Sequence, residues 1–296
     1  MKKPIRKEDL SQEVFDLYDD YAHNRIDRRR FIEKLSIYAV GGLTVGSLLS
    51  FISPDYISSI LVPQDDPRLD SKMIDYPSPK GGGTISGLLS KPKDAKGKLP
   101  GVVVVHENRG LNPYIADVGR RTALEGFISL APDALSPLGG YPGNDDEGRA
   151  MQRQRDRNEM LEDFIAAYQY LRDHENCSGK VGVVGFCFGG WISNMMAVRL
   201  PELGAAVPFY GRQPTAEETA QIRSPLLIHY GELDKRVNEG WPAYEEALKA
   251  NGLTYTMHMY EGANHGFHNN TTPRYDEKAA NLAWQRTIDF FSKHLR

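Results

Sequence analysis

Between residues 101 and 260 short runs of aliphatic and β-branched side chains alternate with longer stretches whose apolar positions recur every three or four residues. The short runs predict strands over 101–106, 127–131, 180–184, 205–210, 225–230 and 254–260. The first is almost unbroken valine, the pattern of a central parallel strand buried on both faces. The longer stretches predict helices over 113–125, 147–174, 191–200, 216–222, 239–250 and 275–294. Asn112 and Pro113 supply the N-cap and N1 residues of the first. In the second, Leu161, Phe164, Ile165, Tyr168 and Leu171 mark the inner face. Strand–helix alternation of this kind predicts an α/β fold, a mostly parallel sheet covered by helices on both faces. Upstream, strands over 72–76 and 84–89 flank a Pro- and Gly-rich turn and predict a β-hairpin.

Residues 1–70 follow another pattern. Val14, Leu17, Tyr18 and Tyr21 fall at i, i+3, i+4 and i+7 and predict an amphipathic helix, with Ser11 as its N-cap. Arg28-Arg29-Arg30-Phe31-Ile32 then precedes a charge-free stretch over 35–52. A basic flank ahead of an apolar run is the layout of an export signal, here twin-arginine-like, and predicts contact with a membrane or export machinery through residues 28–52. Asp27 stands where that pattern has Ser or Thr, and no Ala-x-Ala-like cleavage site follows. The competing expectation is a helix packed on the body of the protein or on a partner chain, in a cytoplasmic protein. Residues 54–70, rich in Pro and Asp, read as a linker. The body then spans 71–296, a length that suits one α/β domain.

Composition narrows the function. A net charge of −3 over 296 residues gives no basic footprint for nucleic acid. The two cysteines, Cys177 and Cys187, lie at opposite ends of a predicted strand, about 20 Å apart, too far for a disulfide. Neither they nor His106, His229, His265 and His268 match a metal-ligand spacing.

The candidate chemistry gathers at strand ends. Gly185-Phe186-Cys187-Phe188-Gly189-Gly190 joins a strand to a helix, the form of a nucleophile elbow with Cys in the place of Ser. The helix N-terminus would favour thiolate over thiol at Cys187. Asp234 follows the strand over 225–230, and His265 follows the strand over 254–260. The order nucleophile, acid, base is the one expected on this architecture. Phe188 and Asn108 would offer the backbone N–H groups of an oxyanion hole. Glu107 is harder to place, since a carboxylate opposes the charge that the elbow favours. Its alternative is an ion pair with Arg109 or with an arginine from 149–157.

Glu107, Gly185-Phe-Cys-Phe-Gly-Gly190, Gly231-Glu-Leu-Asp234 and Asn264-His-Gly-Phe267 together resemble the dienelactone hydrolase family of α/β-hydrolases. The resemblance spans about 71–296. It implies a Cys187–His265–Asp234 triad, an ester or lactone substrate, and no metal or organic cofactor. It also implies that Glu107 keeps the resting Cys187 protonated and takes its proton when substrate binds. One position departs from the family pattern: Asn269 stands where the family has a substrate-clamping arginine. Candidates for substrate contact are therefore Arg109, Arg149, His268, Asn269 and Tyr210. The expected activity is hydrolysis of an ester or lactone through a thioester on Cys187. The competing reading is a ligand-binding or thiol redox-sensing protein on the same scaffold, for which an intact Asp234 and His265 would be superfluous.

Overall fold

The eight strands are β1 (Leu69–Ser78), β2 (Gly83–Pro92), β3 (Leu99–Val105), β4 (Ile128–Pro132), β5 (Cys177–Phe186), β6 (Ala205–Phe209), β7 (Leu226–Gly231) and β8 (Tyr255–Tyr260) in a computed structural model that describes residues 5–296. They form one sheet in the order β1-β2-β4-β3-β5-β6-β7-β8. The β1–β2 hairpin and the β2–β4 pair are antiparallel, and every pair from β4 to β8 is parallel. This is the α/β-hydrolase architecture, with β5 near the middle.

Helices cover both faces. Three precede the sheet: α1 (Gln12–Ala22), α2 (Arg28–Leu35) and α3 (Val45–Ile52). The others are α4 (Pro113–Leu124), α5 (Asp145–Gln152), α6 (Arg157–Asp173), α7 (Phe188–Arg199), α8 (Ala216–Thr219), α9 (Lys235–Asn238), α10 (Trp241–Ala250) and α11 (Glu277–Leu295). Side chains alternate across each strand, so Val103 and Val105 join Phe164, Leu171, Ile192 and Leu248 of α6, α7 and α10 on one face. Val102 and Val104 join Val118 of α4 and Ile288 and Phe291 of α11 on the other. The valine run is thus buried on both sides.

Three sequence expectations change. The helix predicted over 147–174 is two helices, because Asp156 turns away from helical geometry and its carboxylate caps the N–H groups of Asn158 and Glu159. The charge-free stretch over 35–52 is interrupted at Gly41 and Gly42, with φ of +63° and +94°. Its last turns form α3, opened by a reciprocal Thr44–Ser47 capping box. No described helix is long and apolar enough to cross a membrane. Ser11 occupies the N-cap position of α1, but its side chain makes no capping bond.

The apolar faces of α1, α2 and α3 close on one another through Val14, Leu17, Phe31, Leu35, Leu48 and Ile52. This small helical layer packs on the body beside the carboxyl ends of the strands. Its ties are polar: Lys7 Nζ donates to the Tyr275 carbonyl at 3.1 Å, and Asn108 Nδ2 to the Ala22 carbonyl at 2.7 Å. Asp19 pairs with Arg274 at 3.4 Å and Arg236 at 3.5 Å.

Candidate active site

Cys187 sits between β5 and α7 with φ +58° and ψ −110°, a conformation that costs an ordinary residue about 1–3 kcal/mol. Glycines make the turn possible. A Cβ on Gly185 would strike the Gly189 carbonyl, and one on Gly189 would strike the carbonyl of Val105. The backbone thereby lifts the sulfur to the top of the sheet, over the first turn of α7, whose N–H groups lack intrahelical acceptors. Phe188 is the first residue of that turn.

Asp234 and His265 arrive from the ends of β7 and β8. Asp234 Oδ2 accepts from His265 Nδ1 at 2.5 Å, while its Oδ1 accepts from Val237 N and caps α9. The bond on Nδ1 fixes the imidazole and turns Nε2 toward the sulfur. His265 Nε2 makes no bond within the imidazole–carboxylate pair, and a ring nitrogen of His265 lies within 4.8 Å of Cys187 Sγ. Burial opposes charge on His265, but Asp234, Asp19 and the sulfur outweigh it and push the imidazole up to about 10.

One neighbour was not foreseen. His23, the residue that ends α1, places Nε2 3.2 Å from Cys187 Sγ, and its Nδ1 bonds the Asp19 main-chain carbonyl at 2.9 Å with the Asp19 carboxylate at 3.1 Å. The Asp19/His23 spacing of four residues puts both side chains on one helix face, a signal present in the sequence but unconnected to the elbow 164 residues away. Burial would push the Cys187 thiol up. The charges of His23 and His265 reverse this and hold it well below the ordinary thiol value.

A ring nitrogen of His23, a ring nitrogen of His265 and the sulfur all lie within 4.8 Å of one another, a spacing a divalent ion could accept. The surroundings do not suit one. Arg236 Nη2 stands 3.2 Å from His23 Nε2 and 3.3 Å from His265 Nδ1, so a guanidinium already supplies positive charge at that point. The cluster is arranged for proton transfer. His106 and His229 are satisfied core residues: His106 bonds the Glu107 carbonyl and the Ala134 amide, and His229 bonds Thr287 and Tyr260.

A family model described as the dienelactone hydrolase family matches residues 85–295, and a second, described as YqhI-like, matches residues 1–41. The chain belongs to the dienelactone hydrolase family. A hydrolase fragment of Escherichia coli, YghX, is 54% identical over 38% of this chain and 97% of its own length. A Synechocystis protein that carries the name carboxymethylenebutenolidase is 32% identical over 72% of this chain and 93% of its own. Among solved structures, a protein of Klebsiella pneumoniae described as a dienelactone hydrolase aligns with a TM-score of 0.67 at 26% identity. That alignment covers 76% of this chain and 99% of the other. The protein is thus a carboxylic ester hydrolase, and its substrate is a small ester or lactone.

Against that family pattern, the remaining predicted residues divide. Glu107 does not touch the sulfur through any bond the structure records. Its Oε2 accepts from Asn269 Nδ2 at 3.1 Å and lies 3.5 Å from Arg109. The ion pair to Arg109, one of the two sequence alternatives, is therefore present. Arg109 is 2% exposed and also pairs with Asp145 at 2.7 Å, so it is a buried strut and does not line the cleft. His268 is buried too, with Nδ1 bonded to the Tyr114 hydroxyl at 2.7 Å and its ring stacked on Phe186. Asn269 is fully buried beneath the site. Asn269 drops out as a substrate contact because the fold uses both of its side-chain polar atoms, and Arg109 and His268 lie outside the cleft lining, although Arg109 Nε and His268 Nε2 are buried without a partner.

Arg149 and Tyr210 do line the cleft. This cavity of about 530 Å³ opens over Cys187, Phe188 and Asn108. Arg25, Arg149, Arg153, Arg155, Arg157, Arg212 and Arg236 surround it, and no Asp or Glu does among the described residues. Arg149 keeps a buried Nη1 without a partner, and Arg157 lies over the Trp191 ring at 4.7 Å. The break between α5 and α6, missed in the sequence, is what gathers four of these arginines at one rim.

Proposed function

We propose that this hydrolase cleaves an ester or lactone that carries a negative charge, through a thioester on Cys187. The observation that carries the mechanism is the convergence of the strained elbow sulfur with the His265–Asp234 pair. Cys187, as thiolate, attacks the carbonyl carbon. The oxyanion develops beside the first turn of α7, where the N–H of Phe188 and that of Asn108 from the β3 loop would stabilise it. Collapse breaks the C–O bond and leaves the acyl group on sulfur, while an imidazolium beside the sulfur protonates the departing oxygen to give the alcohol or enol. Acylation removes the charge from Cys187, and with it one of the attractions that hold the proton on His265. The imidazole becomes the base that activates water, oriented by Asp234, and hydrolysis frees the acid.

The arginine rim supports an anionic substrate: Arg25, Arg149, Arg155 and Arg236 are paired with carboxylates behind the cleft, but Arg153, Arg157 and Arg212 have no carboxylate partner among the described residues and are left for the ligand to neutralise. The redox-sensing alternative gains nothing from the Asp234–His265 bond, which a sensor would not need.

The test uses p-nitrophenyl acetate and mass spectrometry. Cys187→Ala is expected to abolish turnover. His265→Gln is expected to accumulate a chain heavier by one acetyl group, located on Cys187. Near-normal turnover by Cys187→Ala overturns the mechanism.

A further inference from the structure

His23 belongs to a segment outside the dienelactone hydrolase match, yet its ring touches the reacting sulfur. His23 Nε2 stands 3.2 Å from the sulfur, and His265 acts on the same sulfur as well. The two rings meet edge to face with centroids 4.9 Å apart, so one sulfur faces two imidazoles. Each is backed by its own carboxylate, Asp19 at 3.1 Å for His23 and Asp234 at 2.5 Å for His265. This doubling is not a product of loose packing. Asp19 is bound by Arg25, Arg236 and Arg274, and Asn108 clamps the last carbonyl of α1.

We propose that the Asp19–His23 pair of the N-terminal helix serves the acylation half of the reaction, His23 exchanging the Cys187 proton, while Asp234–His265 serves the deacylation half. The inference rests on the Cys187 thioester reading above. It makes His23 a catalytic residue and Asp19 a positioning residue. It also makes the active site incomplete without the extension.

The proton path closes. In the resting ion pair the Sγ proton already sits on His23 Nε2, and a thiolate electron pair forms the C–S bond as the carbonyl π pair moves to oxygen. The C=O bond reforms, the C–O bond to the leaving group breaks, and that oxygen takes the proton from His23 Nε2. His265, which releases its proton to solvent once acylation removes the charge on sulfur, then takes a proton from water at Nε2 as the water oxygen bonds the thioester carbon. The C–S bond breaks, the sulfur leaves as thiolate, and the proton released by the acid product returns to His23 Nε2. Net consumption is one ester and one water.

Such a division resolves a geometric difficulty. A single imidazole must face the leaving group in one step and the incoming water in the next. Two rings at right angles, 82° between planes, can be set for the two tasks separately. It also supplies the acceptor that Glu107, bonded to Asn269, does not provide here. The charged and titratable groups facing His23 are Asp19 and Arg25 from its own segment, Cys187 from the elbow, Arg236 from α9, and His265 with Arg274 from the loop after β8.

The experiment is stopped-flow hydrolysis of p-nitrophenyl acetate by the full chain, in which the burst reports acylation and the steady state reports deacylation. His23→Gln is expected to slow the burst about 100-fold or more, the scale of a lost general acid–base group, and to leave deacylation within about threefold. Free imidazole is expected to restore the burst in His23→Ala. Asp19→Asn is expected to move the pH midpoint of Cys187 alkylation upward, which a purely structural Asp19 would not do. A burst at the wild-type rate in His23→Gln overturns the proposal. So does a faster burst, which would make α1 a cover over the sulfur, or a loss shared equally by both steps. Should His23→Gln fail to fold by circular dichroism, the Asp19→Asn midpoint decides, and an unmoved midpoint overturns it. Failure of the underlying thioester reading shows separately, as turnover by Cys187→Ala with His23 intact.

Discussion

Two imidazoles and a guanidinium surround Cys187, and the sulfur's response is a matter of sign. Burial alone would keep it protonated; the nearby positive groups win, and its thiol value falls well below the usual one. A depressed value means that the thiolate persists as pH falls through 9, where an ordinary thiol loses its charge. The rate of alkylation by iodoacetamide is therefore expected to stay flat through that range and fall only in acid. In urea the same residue is expected to titrate near the free value of about 8.5. A native titration at that ordinary value would contradict the ion pair. The shape of the profile is the decisive measurement, because the absolute rate also depends on how far α1 covers the sulfur, which is 9% exposed. The family expectation of a Glu107-gated thiol predicts the opposite: slow labelling until substrate arrives.

At the scale of elements, strands were readable because β-branched runs need no partner to declare themselves. The elbow, Asp234 and His265 were readable because each follows such a run directly. What escaped was decided by capping or by distance along the chain. Nothing in the apolar periodicity of 147–174 separates α5 from α6; the break is made by one carboxylate, that of Asp156, bonded to the N–H groups of Asn158 and Glu159 at 2.8 and 3.1 Å. Asp156→Ala is expected to cost about 1 kcal/mol of stability, the usual loss for an N-cap, seen as a lower urea midpoint with an unchanged slope. Because Arg157 begins α6 and lies on the cleft, the same substitution is expected to raise KM for an anionic ester more than it lowers kcat. Arg109 and His268 were misjudged for a related reason. Their residue types suit substrate contact, but Asp145 and Tyr114, distant in sequence, hold one nitrogen of each and anchor both side chains away from the cleft. His23 combines both difficulties, since its helix was legible and its destination was not.

For the molecule as a whole, charge is distributed against its net sign. The chain carries −3 overall, yet the rim above Cys187 holds seven arginines, of which Arg153, Arg157 and Arg212 have no carboxylate partner among the described residues. Desolvation and its neighbour Arg212 both weaken the hold of Arg157 on its proton, the mark of like charges kept close. A field built this way acts on an approaching anion before contact, and salt shortens its reach, from about 30 Å at 0.01 M to about 8 Å at 0.15 M ionic strength. For an aryl ester bearing a carboxylate, kcat/KM is expected to fall several-fold across that range through a rising KM. For p-nitrophenyl acetate, which has no charge to steer, the same change in salt is expected to leave kcat/KM unaltered. The pair of substrates separates the rim from the chemistry, because both acylate the same sulfur. An equal response of the two esters would mean that salt acts on the Cys187 ion pair or on the docking of α1, whose ties to Arg236 and Arg274 are also ionic. Arg212→Gln then distinguishes the cases: it is expected to flatten the salt response of the charged ester and leave the acetate burst as it was.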